Sequence, residues 1–122
     1  MEKVFVYGSL KQGYGNHTLL ETSELVSEGK TVDDDYTMLS LGGFPGVLLQ
    51  GTTRILGEVY EVTDEVFQRL DRLEGFPSFY NRKEIEVEQE HGDVVSAWMY
   101  FLNEDEDTYH QDLYTLVEDG NW

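Results

Sequence analysis

Residues 3 to 7 are apolar on both faces of an extended chain, which predicts a strand with neighbours on both sides. Gly8, Gly13 and Gly15 then punctuate a loop running to Asn16, ahead of a short helical candidate at His17 to Leu20. Residues 25 to 41 read as extended but mixed in polarity, with a turn near Asp33 to Asp35. Gly42-Gly43-Phe44-Pro45-Gly46 is a loop signal, and a β-rich stretch follows from Arg54 to Val62. Further on, Ile85 and Val87 alternate with Glu84, Glu86 and Glu88, the mark of a half-buried strand. His91-Gly92-Asp93 reads as a hairpin turn into Val94 to Leu102, again apolar on both faces. Glu104 to Asp107 is a solvated loop, and Tyr109 to Trp122 is a helical candidate with a turn at Gly120.

The clearest helix starts after Thr63, a good N-cap, with Asp64 and Glu65 where the helix dipole favours negative charge. It ends at Glu74, before Gly75 in the position that tolerates a left-handed backbone. At about 100° per residue, Val66, Leu70 and Leu73 fall within roughly a 60° arc, and Phe67 widens the apolar stripe to about 120°. Gln68, Asp71 and Arg72 fall on the wet side, whereas Glu74 lies inside the stripe between Leu70 and Phe67. Partial desolvation, the negative end of the helix and the lack of a cation on its own turn would each raise the Glu74 carboxyl. A raised carboxyl suits a general base that must later return its proton. The alternative is a frayed last turn with Glu74 in water.

About seven short strands and two or three helices indicate one α+β domain over residues 1–122, with a curved sheet or small barrel. Eight Lys and Arg oppose 25 Asp and Glu, a net charge of −17, so no basic stripe exists for nucleic acid or an anionic membrane. A solubilising acidic exterior is the simplest reading of that balance. The absence of cysteine removes disulfides and thiolate chemistry. The chain runs from Met1 into an apolar stretch too short for a signal-peptide core or a bilayer span, so a cytoplasmic protein is expected.

Several chemistries fit poorly. Gly8 to Gly13 has phosphate-loop spacing, but Tyr14 and Gly15 stand where Lys and Ser or Thr are required. Ser9 lacks the nucleophile-elbow pattern, and His17, His91 and His110 are too scattered for a local metal motif. Neither acidic run has calcium-loop spacing. What survives is a loop leaving a strand, able to offer backbone N–H groups to an anion or a developing oxyanion, or simply to turn the chain.

Val4-Phe5-Val6-Tyr7-Gly8-Ser9-Leu10-Lys11-Gln12-Gly13, followed by Asn16-His17, resembles the opening signature of γ-glutamylamine cyclotransferases and their bacterial relatives. Gly57-Glu58-Val59-Tyr60, then Leu70-Asp71 and Glu74, then Tyr80-Asn81-Arg82, resembles the second block of that family. Lys11-Gln12-Gly13 after the opening fits the glutamylamine-type branch better than the glutathione-degrading one. The resemblance runs from about Val4 to Tyr100 and implies a small mixed β-barrel of six or seven strands flanked by helices. It implies a small γ-glutamyl amine or peptide as substrate, with no metal or cofactor. By the same resemblance Glu74 is the catalytic glutamate, and Tyr7, Gly8, Ser9 and Leu10 hold the γ-glutamyl group, largely through backbone groups. Tyr80 would close the pocket. Tyr100 is either a second pocket tyrosine or a core tyrosine with a satisfied hydroxyl. Arg82 reads as a surface partner for the many carboxylates. A non-catalytic module binding a small carboxylate or amide on the same fold is the alternative function, and a protein-interaction role for the acidic surface is a third.

Overall fold

The computed structural model describes residues 1–8, 11, 20, 23–41, 44–102 and 115–122. Among them are eight strands and one helix: β1 (Glu2–Val6), β2 (Glu24–Thr31), β3 (Tyr36–Ser40), β4 (Pro45–Thr53), β5 (Leu56–Val62), α1 (Asp64–Leu73), β6 (Tyr80–Gln89), β7 (Val94–Leu102) and β8 (Thr115–Leu116). The fold is α+β and dominated by strands.

Five strands are hydrogen-bonded in the order β1-β5-β2-β6-β7, and β7 pairs back onto β1 to close the ring. The β1–β7 pairing is parallel, while β1–β5, β2–β5, β2–β6 and β6–β7 are antiparallel. β1 has hydrogen-bonded neighbours on both sides, as its two apolar faces predict. Because successive side chains point to opposite faces, β1 feeds two cores. Phe5 and Tyr7 join Val59, Ile85, Val87 and Met99, with Met38 and Val47 from the second sheet. Val4 and Val6 join Tyr60, Val62, Tyr80 and Tyr100, and this second core is covered by Val66, Phe67 and Leu70 of α1. The second sheet has the order β4-β3-β8.

Three expectations need correction. Only one helix is present among the described residues, where two or three were expected. Of the candidate at 17–20 only Leu20 is described. The C-terminal candidate fails where it can be seen, because Thr115–Leu116 is a strand paired with Leu39 and Ser40 of β3. Gly120, at φ +69°, then makes the anticipated turn and accepts a hydrogen bond from the Leu56 amide at 2.8 Å. Finally, the loop read at Gly42 to Gly46 ends sooner than its composition suggests. Pro45 and Gly46 begin β4, where Pro45 occupies the first strand position and so withholds no interior ladder donor. The acidic segment 104–107 and glycines 13, 15, 42 and 43 lie outside the described residues.

Candidate active site

The site is assembled at the C-terminal end of α1, so the forces fixing that end come first. Thr63 Oγ1 accepts from the Val66 amide at 3.2 Å and caps the start of the helix. Thr63→Ala is expected to cost about 1 kcal/mol of stability, readable as a lower urea midpoint with an unchanged slope. At the other end the Glu74 amide still donates to Leu70 O at 2.9 Å. Gly75 takes φ +67°, its amide donates to Arg72 O at 3.2 Å, and the Phe76 amide donates to Asp71 O at 2.9 Å. This pair of bonds is a Schellman closure, which satisfies the terminal carbonyls and stops the last turn from fraying.

Glu74 is therefore held in place and only partly exposed. Burial pushes its carboxyl from 4.5 up to about 7. Among the described residues it has no ion-pair partner. The chain beyond it folds back: Phe79 donates to Gly75 O at 2.9 Å, and the Tyr80 amide to Glu74 O at 3.3 Å.

Three buried tyrosines surround this end of the helix. Tyr80 donates its hydroxyl to Pro45 O at 2.7 Å, tying the start of β6 to the start of β4. Tyr7, at the end of β1, donates to Tyr100 O at 2.8 Å. Its hydroxyl is raised well above the ordinary value by burial first, then by Tyr80 and the Glu74 charge, against a backbone hydrogen bond at Val47. Tyr100 donates to Asp71 Oδ1 at 2.6 Å. Burial and then the Asp71 hydrogen bond raise this hydroxyl, and the Glu74 charge adds to them. The structure thus brings Tyr7, Glu74, Tyr80 and Tyr100 to one place. Gly8 leads out of it, its Cα against the Pro45 ring, and its carbonyl accepts from the Lys11 amide at 2.9 Å. Ser9 and Leu10 lie outside the described residues.

Three residues behave differently from expectation. Asp71, placed on the wet side by helical angle, is half-buried and receives both Tyr100 and Arg82. Arg82 does find a carboxylate, but not out on the surface. It makes a two-pronged pair with Asp71, Nε–Oδ1 2.9 Å and a terminal nitrogen to Oδ2 3.2 Å, with about a fifth of each side chain exposed. Its guanidinium carbon lies 4.3 Å from the centre of the Phe67 ring, 4.5 Å from Phe76 and 4.7 Å from Trp98. Leu73, expected in the apolar stripe, is exposed, because the buried arc is centred between Leu70 and Phe67. That is the arc in which Glu74 sits. The local pattern at Asp71 held no signal of this pairing, because its partners come from β6 and β7.

A separate open depression of about 340 Å³, lined by Asp33, Tyr36, Lys83, Glu84, Glu86 and Ser96 among others, contains none of these groups.

Residues 4–122 match the family model described as "Gamma-glutamyl cyclotransferase, AIG2-like", and the chain belongs to that family. A relative from Methanocaldococcus jannaschii is 38% identical over all of this chain and 96% of its own length. A Niallia circulans protein named γ-L-glutamyl-butirosin B γ-glutamyl cyclotransferase is 32% identical, covering 87% of this chain and 70% of the relative. Among solved structures, an AIG2-like protein from Mus musculus superposes with a TM-score of 0.83 at 29% identity, covering 100% of this chain and 88% of the other. No helix among the described residues is long and apolar enough to cross a membrane.

Proposed function

We propose that the protein is a γ-glutamyl(amine) cyclotransferase in which Glu74 moves the proton. The α-amino group of a γ-glutamyl compound attacks its own γ-carbonyl, closes a five-membered ring and releases 5-oxoproline with the amine that had been attached. The nucleophile is already tethered to the electrophile. The reaction therefore asks the protein for folding of the glutamyl chain, for proton transfer and for stabilisation of the oxyanion.

Glu74 takes a proton from the α-ammonium, freeing the lone pair for attack, and gives it to the departing nitrogen; the second proton lost by the ring nitrogen as the lactam forms leaves on the released amine, which departs as its ammonium. Backbone N–H groups of the Tyr7 to Leu10 loop serve the oxyanion or the substrate carboxylate. Tyr80 closes the pocket. The observation that carries this reading is the burial of a helix-pinned carboxyl that titrates at about 7, between the value of an ordinary carboxylate and that of an amine. The name of the Niallia circulans relative agrees with a γ-glutamyl amide as the substrate class.

The test is incubation with γ-glutamyl-ε-lysine, simple γ-glutamyl amines and γ-glutamyl peptides, with 5-oxoproline measured. Release from at least one is expected. Saturable binding of 5-oxoproline with no turnover of any γ-glutamyl compound would instead identify a non-catalytic module. Because the base form of Glu74 is the active one, kcat/KM should fall about tenfold per pH unit below about 7 and level off above it until the substrate amine itself titrates.

A further inference from the structure

β2 runs beside β6 only as far as Thr31, opposite Val87, and the Val32 amide makes a last bond to Glu86 O at 3.0 Å. The chain then turns away through Asp33 to Asp35 and enters β3 at Tyr36. The turn is held at its root, where Thr31 Oγ1 donates to Asp33 O at 2.7 Å and accepts from the Ile55 amide at 2.9 Å. Among the described residues, the departure of β2 leaves β6 before Glu86 without a strand on that side. The open depression of about 340 Å³ lies there.

Successive side chains of β6 alternate in direction, so Glu84 and Glu86 flank one face of the strand and Lys83 and Ile85 the other. Asp33 approaches from the turn, and Ser96 from β7, where it is paired with Glu86. Among the described residues none of Asp33, Lys83, Glu84 and Glu86 forms a salt bridge. Three carboxylates against one ammonium leave an excess of negative charge, which alone is commonplace in a chain of net charge −17. Tyr36 sets this place apart. Its side chain is 4% exposed and packs in the same core as Ile85. Its hydroxyl nevertheless has no hydrogen-bond partner among the described residues, although no fully buried side-chain polar atom there goes unpartnered. The small surface that Tyr36 keeps therefore includes its hydroxyl, which opens into the depression. Burial raises this hydroxyl above its ordinary value, and Asp33 and then Asp35 raise it further, as expected of a neutral O–H near carboxylates.

We propose that this depression binds a small organic dication, an α,ω-diamine, with one ammonium held by Asp33 and the Tyr36 oxygen and the other by Glu84 and Glu86. The site contains none of the groups around Glu74, and the inference does not depend on the γ-glutamyl reading. An ammonium brings three N–H donors on a positive charge, the complement of a carboxylate beside a phenolic oxygen. The methylene chain between the two heads has the Ile85 side chain and the Tyr36 ring to lie on. A metal ion is a poorer match, because no three acidic or histidine side chains among the described residues converge closely enough to hold one. An anion is opposed by the charge excess. The excess of three carboxylates over the single Lys83 ammonium is two, the charge that a diamine carries.

Titration calorimetry on the full chain in low salt compares diaminobutane, n-butylamine and magnesium chloride. Diaminobutane should bind about tenfold or more tighter than n-butylamine, and equimolar magnesium should not displace it. Glu84→Gln combined with Glu86→Gln should weaken diaminobutane about tenfold, and Tyr36→Phe about fivefold, with folding checked by circular dichroism. Glu74→Gln should bind it as the wild type does. Equal affinity for the monoamine, displacement by magnesium, or no detectable binding overturns the proposal whether or not any variant folds. So does undiminished binding in the folded Glu84 and Glu86 double variant. Loss of binding in Glu74→Gln would place the diamine at the other site and also overturns it. None of these results bears on 5-oxoproline release, so the two proposals stand or fall separately.

Discussion

Glu74→Gln is expected to lower kcat/KM for a γ-glutamyl amine by about 10³-fold while leaving a folded and, at alkaline pH, more stable protein. The activity loss follows from the absence of a titratable proton, since the amide keeps the shape of the side chain but cannot shuttle. The stability gain follows from linkage. The folded carboxyl titrates at about 7 against an ordinary value of 4.5, so burial favours its neutral form. Below pH 4.5 both folded and unfolded states carry the proton and there is no penalty. Between about 4.5 and about 7 the unfolded state ionises first and stability falls; above about 7 the penalty is complete. A displacement of that size corresponds to ~3 kcal/mol at most, reduced by the partial exposure of Glu74 to on the order of 1–2 kcal/mol. Glu74→Gln should therefore raise Tm at pH 8 and leave it nearly unchanged at pH 4. Thermal melts at the two pH values, run beside the 5-oxoproline assay, check both halves. A variant that keeps full activity, or that is less stable at pH 8, contradicts the role given to this carboxyl.

Arg82→Ala should have the largest effect on stability. It leaves the Asp71 carboxylate half-buried with its cation gone, and it removes the guanidinium from between the Phe67, Phe76 and Trp98 rings. Breaking a fully buried pair from one side costs about 3–5 kcal/mol. With a fifth of each side chain still reaching solvent, about 2–4 kcal/mol is expected here, or roughly 10 °C in Tm. Arg82→Lys should recover only part of this, because an ammonium cannot make the two-pronged contact. Double-mutant cycles with Asp71→Ala should show a coupling of about 1–3 kcal/mol. Additive losses would mean that Arg82 contributes through ring packing alone.

Legibility in the sequence followed the range of the forces involved. β1 and β7 could be read directly, because each has neighbours on both sides and buries both faces, and the turn at Gly92 declared itself by composition. Helix α1 could be read to the residue from Thr63, Glu74 and Gly75, since capping is local chemistry. β4 could not. Its first four residues are all buried and most of the rest exposed, so no alternation exists to find, and Gly46 is packed against Leu102 far along the chain. β8 is two residues long and exists by pairing with β3. At the site, the helical angle placed Glu74 inside the apolar stripe but left a frayed last turn in water open, and the Schellman closure decides between them. The fate of Asp71 could not be read, because Arg82 from β6 and Tyr100 from β7 decide it, and local periodicity carries no information about either.

Carbon-13 titration of the Glu74 side-chain carboxyl, assigned by its absence in Glu74→Gln, measures the property on which the mechanism turns. A midpoint near pH 7 is predicted. A midpoint near 4.5 would place this group in solvent and remove the proton carrier from the reaction.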